Sequence, residues 1–209
     1  MVGEQVKPAP INLLDIDYVG IKAPMFSFTR LIGADPVLGV EMASTGEVAT
    51  FGDTRHEAII TSMLSAGFRI PEKSVFLCIG PLSAKLSFVE SAKLMVAKGL
   101  ILYASPGTHA FFTEAGVATT LLHKPSSSEQ PNFVDYIIDK IDLVINIRDT
   151  MADSGSISDG YSIRRSTVDR SVGLLTDLKL AKLIITAFTS DEFVNDGKVK
   201  VRAWDELGN

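Results

Sequence analysis

From Lys73 onward, short unbroken apolar runs alternate with stretches whose apolar residues recur at helical spacing. Residues 75–79, 100–104, 117–122, 143–147 and the shorter 174–176 read as strands. Continuous rather than alternating apolar runs are what a sheet covered on both faces requires. Residues 85–98 place Leu86, Val89, Ala92 and Val96 on one helical stripe, stopped by Gly99. Residues 108–115 form a second helical pattern stopped by Gly116, and 132–140, 161–169 and 178–188 supply three more. Strand and helix alternate five times. That order predicts an α/β fold, a Rossmann-like open five-stranded parallel sheet with helices on both faces.

The first third reads differently. Residues 17–22 and 25–29 suggest strands around Pro24, and 37–42 and 47–51 suggest two more, joined through Ala43-Ser44-Thr45-Gly46. Thr54-Arg55-His56-Glu57 is a capping box that opens a helix with Ala58, Ile59, Met63 and Leu64 on its apolar face. Gly67 is placed to end that helix, and Pro71 breaks the chain. This piece carries too little apolar mass to fold alone. The expected division is 1–72, 73–190, and a tail over 191–209.

Composition narrows the function classes. The chain has 209 residues, 46% of them hydrophobic and 22% charged, which suits a packed domain. A net charge of −5 argues against a broad nucleic-acid surface. No segment is apolar for long enough to span a bilayer, and the first ten residues lack the apolar core of a secretory signal, so a cytoplasmic location is expected. The single cysteine, Cys78, lies in an apolar run and reads as a buried, inert thiol. His56, His109 and His123 form no metal-ligand spacing, and neither a GxSxG elbow nor a Walker A sequence is present. No catalytic or metal residue is assigned.

The stretch Leu100-Ile-Leu-Tyr-Ala-Ser-Pro-Gly-Thr108 carries the candidate chemistry. A strand that ends in a small-residue turn and leads at once into a helix offers main-chain N–H groups and a positive dipole end to an anion. Ser105 and Thr108 add hydroxyls, and Gly107 lets a ligand oxygen approach the main chain. The same residues also suit an ordinary strand-to-helix turn with Thr108 as N-cap. The end of the next long strand, Asn146-Ile147-Arg148, should open on the same crevice. A polar residue that ends an apolar strand must satisfy its amide somewhere.

Two sets of residues carry a family resemblance. Phe28-Thr29-Arg30-Leu31, Gly33-Ala34-Asp35-Pro36, Leu38-Gly39-Val40-Glu41-Met42 and Ser44-Thr45-Gly46-Glu47-Val48 resemble the end of the second ATP-grasp unit of the carbamoyl-phosphate synthetase large subunit. Ala104-Ser105-Pro106-Gly107-Thr108, Leu143-Val144-Ile145-Asn146 and Gly160-Tyr161-Ser162-Ile163-Arg164-Arg165 resemble the methylglyoxal-synthase-like domain that follows it there. The resemblance implies a β-rich ATP-grasp remnant over 1–72 and an effector-binding domain over 73–190 that docks on the remainder of the synthetase chain. It implies a non-catalytic regulatory piece of a glutamine-hydrolysing, ATP-dependent enzyme that makes carbamoyl phosphate from bicarbonate, ATP and an amide or ammonia nitrogen. This piece would need no cofactor of its own; ATP, Mg or Mn, and K would belong to the parent enzyme. Membrane and nucleic-acid partners are not implied.

By the same resemblance, Ser105 and Thr108 should hold an effector phosphate. Lys85 and Lys124 match lysines that neutralise phosphate or ribose-linked charge, Asn146 matches an asparagine at the strand end, and Arg148 stands where the family has a small hydroxyl residue. Arg164 and Arg165 read as surface or interface charges, better suited to salt bridges than to ligand contact. Ala23 and Leu174-Leu175-Thr176 lack the acidic residues that ornithine-sensing bacterial forms carry at those places. Lys124 replaces a tryptophan of the N-acetylglutamate-sensing animal form, and Arg148 stands near a second asparagine of that form. Those departures favour a phosphate-rich effector such as UMP, UTP or phosphoribosyl pyrophosphate. A catalytic alternative on the same fold is a methylglyoxal synthase acting on dihydroxyacetone phosphate, with Asp149 or Asp153 as base. A third reading makes 1–67 and the tail an interaction piece, with a sheet edge open to self-association.

Overall fold

The computed structural model describes Gly3 and residues 16–37, 46–148 and 158–190. The expected strand at 37–42, apart from Val37, together with Asp149, Asp153 and the tail, lies outside them. β1 (Val19–Met25) and β2 (Gly46–Gly52) form a two-stranded antiparallel sheet. The first of the two strands expected around Pro24 therefore runs on through the proline. Pro24 lies opposite Glu47 within this two-stranded ribbon, where an edge position tolerates a missing N–H. The second expected strand is instead a single 3-10 turn over Phe28–Arg30.

α1 (Arg55–Ser65) begins as the capping box predicts: the Glu57 N–H donates to Thr54 Oγ1 at 3.1 Å. The Glu57 carboxylate reaches one residue further back and accepts from the Asp53 N–H at 2.8 Å. The elements that follow are β3 (Ser74–Ile79), α2 (Leu82–Ala97), β4 (Ile101–Ala104), α3 (Pro106–Glu114), β5 (Thr120–Leu121), α4 (Phe133–Tyr136), β6 (Leu143–Ile147), α5 (Asp159–Asp169), β7 (Gly173–Leu175) and α6 (Leu178–Thr189). The stops of α1, α2 and α3 fall where glycines stand. At Gly99 and Gly116 φ is positive, and the next residue's N–H reaches back to Met95 and Phe112. Because the Val117 N–H closes α3 in this way, the strand expected over 117–122 shrinks to Thr120–Leu121.

Other boundaries moved as well. α3 opens at Pro106, because proline at the first helical position costs no hydrogen bond, so Ser105 and not Thr108 is the N-cap. The expected helix over 132–140 is helical only over Phe133–Tyr136 and continues as turns.

The five strands are parallel, in the order β5-β4-β3-β6-β7. The chain enters at the centre, builds outward through β4 and β5, then crosses back to β6 and β7. β3 and β6 are thus neighbours whose connections leave in opposite directions, the switch point at whose carboxyl ends open α/β sheets place their ligand crevice. Alternate residues of both strands face opposite sides. Val75, Leu77, Ile79, Leu143 and Ile145 join a large apolar cluster with Phe88 and Met95 of α2, Phe112 of α3 and Ile184 and Ile185 of α6. Ile59, Ile60 and Met63 of α1 belong to that same cluster, so the first third shares the core of the sheet. Phe76 and Val144 face the other side, where Phe133, Ile137 and Ile163 cover them.

The amino end of the sheet is tied down by one carboxylate. Asp142 Oδ2 accepts from the N–H groups of Glu72, Lys73 and Ser74 at 3.0, 2.6 and 3.1 Å. The Ser74 hydroxyl donates to the Lys140 carbonyl.

Candidate functional site

On the side of the sheet facing α4 and α5, the apolar pattern stops at the carboxyl ends of the two central strands. Cys78 and Asn146, register partners across β3 and β6, stand there in place of apolar residues. Asn146 is only 2% exposed. Its Oδ1 accepts from Arg164 Nη1 at 2.9 Å, which fixes which way the amide points. The Asn146 NH2 group has no acceptor among the described residues. No fully buried polar side-chain atom among them lacks a partner, so this NH2 is reachable by solvent.

Cys78 lies at the centre of the polar group. Burial pushes its thiol pKa up, against a hydrogen bond with Ser105 and the positive charge of Lys124. Asp159 and Arg164 also act on it, with opposite signs. A raised pKa disfavours the thiolate, and Cys78 is only partly buried, where the sequence suggested a fully buried thiol.

The hydroxyls at the end of β4 are engaged by the protein itself. Thr108 Oγ1 accepts from the Ile79 N–H at 3.0 Å and from the Ser105 hydroxyl at 3.1 Å, and donates to the Ile79 carbonyl at 3.2 Å. That uses all the hydrogen-bonding capacity of one hydroxyl, and Thr108 is 1% exposed. Thr108 thus stitches the first turn of α3 to the tip of β3. Ser105, 4% exposed, can turn its single proton outward only by releasing Thr108. Pro106 has no N–H, and the Thr108 N–H bonds to Ser105. Gly107 is left as the donor at the start of α3, and a Cβ placed on it would meet only Lys85 Nζ, at 3.9 Å. Lys85 Nζ donates to the Gly107 carbonyl at 3.1 Å, joining α2 to α3.

Lys124 lies across from these residues in the loop after β5. Its exposed ammonium is 4.0 Å from Asp159 Oδ2 at the start of α5, and Asp159 Oδ1 accepts from the Ser126 N–H at 3.0 Å. Arg148 is exposed just past β6. The structure therefore brings Ser105 with Thr108, and Lys85 with Gly107, on one flank. Asn146 and Lys124 fall on the other, and Cys78 is influenced by both flanks. Among the described residues no group of three or more His, Cys, Asp or Glu could hold a metal ion, and no helix is long and apolar enough to cross a membrane.

Residues 87–176 match the family model of the MGS-like domain. The chain carries an MGS-like domain. Over 198 residues, 90% of this chain, it is 40% identical to the multifunctional protein URA2 of Saccharomyces cerevisiae, covering 9% of that protein. It is 41% identical to the multifunctional protein CAD of Squalus acanthias over 203 residues, 90% of this chain and 9% of that one. It is also 39% identical to the human mitochondrial carbamoyl-phosphate synthase [ammonia] over 197 residues, 90% of this chain and 13% of that enzyme. The chain thus spans about a tenth of the length of the curated relatives it matches, and its homologues are regions of carbamoyl-phosphate synthases.

One part of the MGS-like domain reads differently in three dimensions than in sequence. Arg164 and Arg165, expected at the surface or an interface, are 2% and 8% exposed on α5. They are an interface in the sense of gripping the segment before β2. Arg164 donates from Nε and Nη2 to the two carboxylate oxygens of Asp35 at 2.7 and 2.5 Å. Arg165 donates to the carbonyls of Leu31, Ala34 and Phe28 at 3.0, 3.1 and 3.1 Å and pairs with Asp169. The Tyr161 hydroxyl donates to the Gly33 carbonyl at 2.9 Å. A sequence reading could not find this clasp, because more than a hundred residues separate its partners. Asp159 escapes a sequence reading for another reason: the helical pattern is legible only from Tyr161, whereas Asp159 is the first residue of α5.

Proposed function

We propose that this chain is the effector-binding regulatory region of a carbamoyl-phosphate synthase of the pyrimidine type, and that the crevice between β3 and β6 takes a phosphorylated anion. The observation that carries the reading is the Asn146 NH2, oriented by Arg164 and left without an acceptor at the one polar break in a buried sheet face. The Gly107 N–H and the Lys124 ammonium add donors of the kind a phosphate accepts. A uridine nucleotide is the first candidate, with phosphoribosyl pyrophosphate next. Ser105 takes part by rotating its proton from Thr108 to the ligand, whereas Thr108 holds the turn in place.

In this reading the region does no chemistry. ATP, magnesium or manganese, and potassium serve the parent enzyme, which works in the cytoplasm. The residues before α1 are the end of an ATP-grasp unit. The homology to carbamoyl-phosphate synthases supports that assignment. A thermal-shift series with UMP, UTP, phosphoribosyl pyrophosphate, ornithine and N-acetylglutamate tests it, because a ligand of the native state raises the melting temperature. A rise with the phosphorylated compounds alone is expected. Stabilisation only by ornithine or N-acetylglutamate, or release of methylglyoxal from dihydroxyacetone phosphate, would overturn it.

A further inference from the structure

Arg164 stands between the crevice and the segment that precedes β2, and both claim it. One edge of its guanidinium holds Asn146 Oδ1 at 2.9 Å. The other holds both carboxylate oxygens of Asp35. The Arg164 side chain is 3% exposed and that of Asp35 34%. The segment fixed by this pair is lightly packed: the 3-10 turn over Phe28–Arg30 buries no residue, Phe28 is only half-buried against Phe26, and Leu31 and Ile32 are 53% and 95% exposed, so that Pro36, next to Asp35, is its one buried apolar residue. It is held by Arg164, by the three carbonyls on Arg165, and by Tyr161. A segment held by charge and hydrogen bonds rather than by a packed face responds to a new charge nearby.

The geometry points to Asp35 as an internal anion that competes with the crevice ligand for Arg164. This rests on the reading of the crevice as an anion site. A phosphate that accepts from the Asn146 NH2 lies one amide away from the guanidinium, whose own side chain is 3% exposed and so weakly screened. Phosphate and Asp35 carry like charge and are drawn to the same cation from its two sides. Each therefore weakens the hold of the other, and by linkage the weakening is reciprocal. Filling the crevice loosens Asp35 and with it the 28–35 segment; removing the Asp35 charge tightens the crevice. Asp35 touches no ligand in this scheme, and Arg164 acts as a positioning residue for Asn146.

The test is calorimetry on the full 209-residue chain with UMP and with inorganic pyrophosphate, at fixed ionic strength, alongside amide hydrogen exchange over 28–35. Asp35→Asn should bind both probes about three- to tenfold more tightly than the parent chain. In the unmodified chain, a saturating probe should speed exchange over 28–35 while slowing it around 105–108. The exchange measurement needs no variant, so it stands even if Asp35→Asn fails to fold. Equal or weaker binding by a folded Asp35→Asn, or slower exchange over 28–35 on ligation, overturns the competition while leaving the crevice intact. No binding of either probe, or binding unchanged in Lys124→Ala, removes the crevice reading and the competition together.

Discussion

At the amino end of the sheet, Asp142 accepts three main-chain N–H groups and the Ser74 hydroxyl closes on the Lys140 carbonyl, so the polar groups there are spent on the protein. At the carboxyl end the same accounting leaves a surplus. Thr108 is saturated, yet the Asn146 NH2 and the Gly107 N–H find no acceptor among the described residues. Both ends are built from short polar side chains that bond to loop backbone. The difference is closure. A satisfied cluster lowers the energy of the fold, and an unsatisfied one of the same chemistry is free to bind.

The sharpest way to break this comparison is to damage the closed end alone. Asp142→Ala strips three amides of a charged acceptor and should lower stability by about 3 kcal/mol in urea titrations, with effector affinity unchanged. Thr108→Val, at the closed part of the open end, leaves the Ile79 N–H and C=O unpaired and should cost about 2 kcal/mol in the same measurement. Lys124→Ala should do the reverse, weakening UMP binding about ten- to hundredfold in calorimetry while the melting curve stays in place. A large loss of stability in Lys124→Ala would mean that the two ends do not differ as described.

Two smaller effects refine the account of α5, the helix that reaches from the crevice to the clasp. Ser171, just past its end, has φ 56°, a conformation that suits glycine. Ser171→Gly should raise stability by about 0.5–1 kcal/mol in thermal melts, without changing ligand affinity. The hydrogen bond from Arg165 holds the Asp169 carboxyl below its ordinary pKa. A lowered folded-state pKa stabilises the protein above the unfolded value, near pH 4, and that contribution is lost as the pH falls through the folded value. Asp169→Asn should therefore be slightly less stable than the parent chain at neutral pH, and the difference should vanish in strong acid. Asp169 is half exposed, so this is the smallest of the effects.

Much of the sheet was legible because its central strands are buried on both faces and α1, α2 and α3 end at glycines. A continuous run such as Leu143-Val144-Ile145-Asn146-Ile147 admits few other structures. The misreadings cluster where a local rule met a tertiary demand. Thr108 looked like an N-cap because threonine commonly is one, but the turn needed its hydroxyl on β3. Pro24 looked like a break because proline interrupts most strands, but a two-stranded ribbon has an edge to spare for it. The candidate residues Lys85, Gly107, Lys124 and Asn146 were visible as types and positions; which of their hydrogen-bonding groups remain unused was not.

Sequence by itself determined the alternation of strand and helix, the glycine stops of the first three helices and the polar Asn146 within the apolar run of β6, because each depends on neighbours a few positions away. Only the tertiary structure decided that Arg164 orients Asn146 and answers to Asp35, and that the Thr108 hydroxyl is consumed at β3. Hydrogen bonding is a matter of pairing, and the partner of a buried polar group is chosen by what the fold brings within about 3 Å, however far away it lies along the chain.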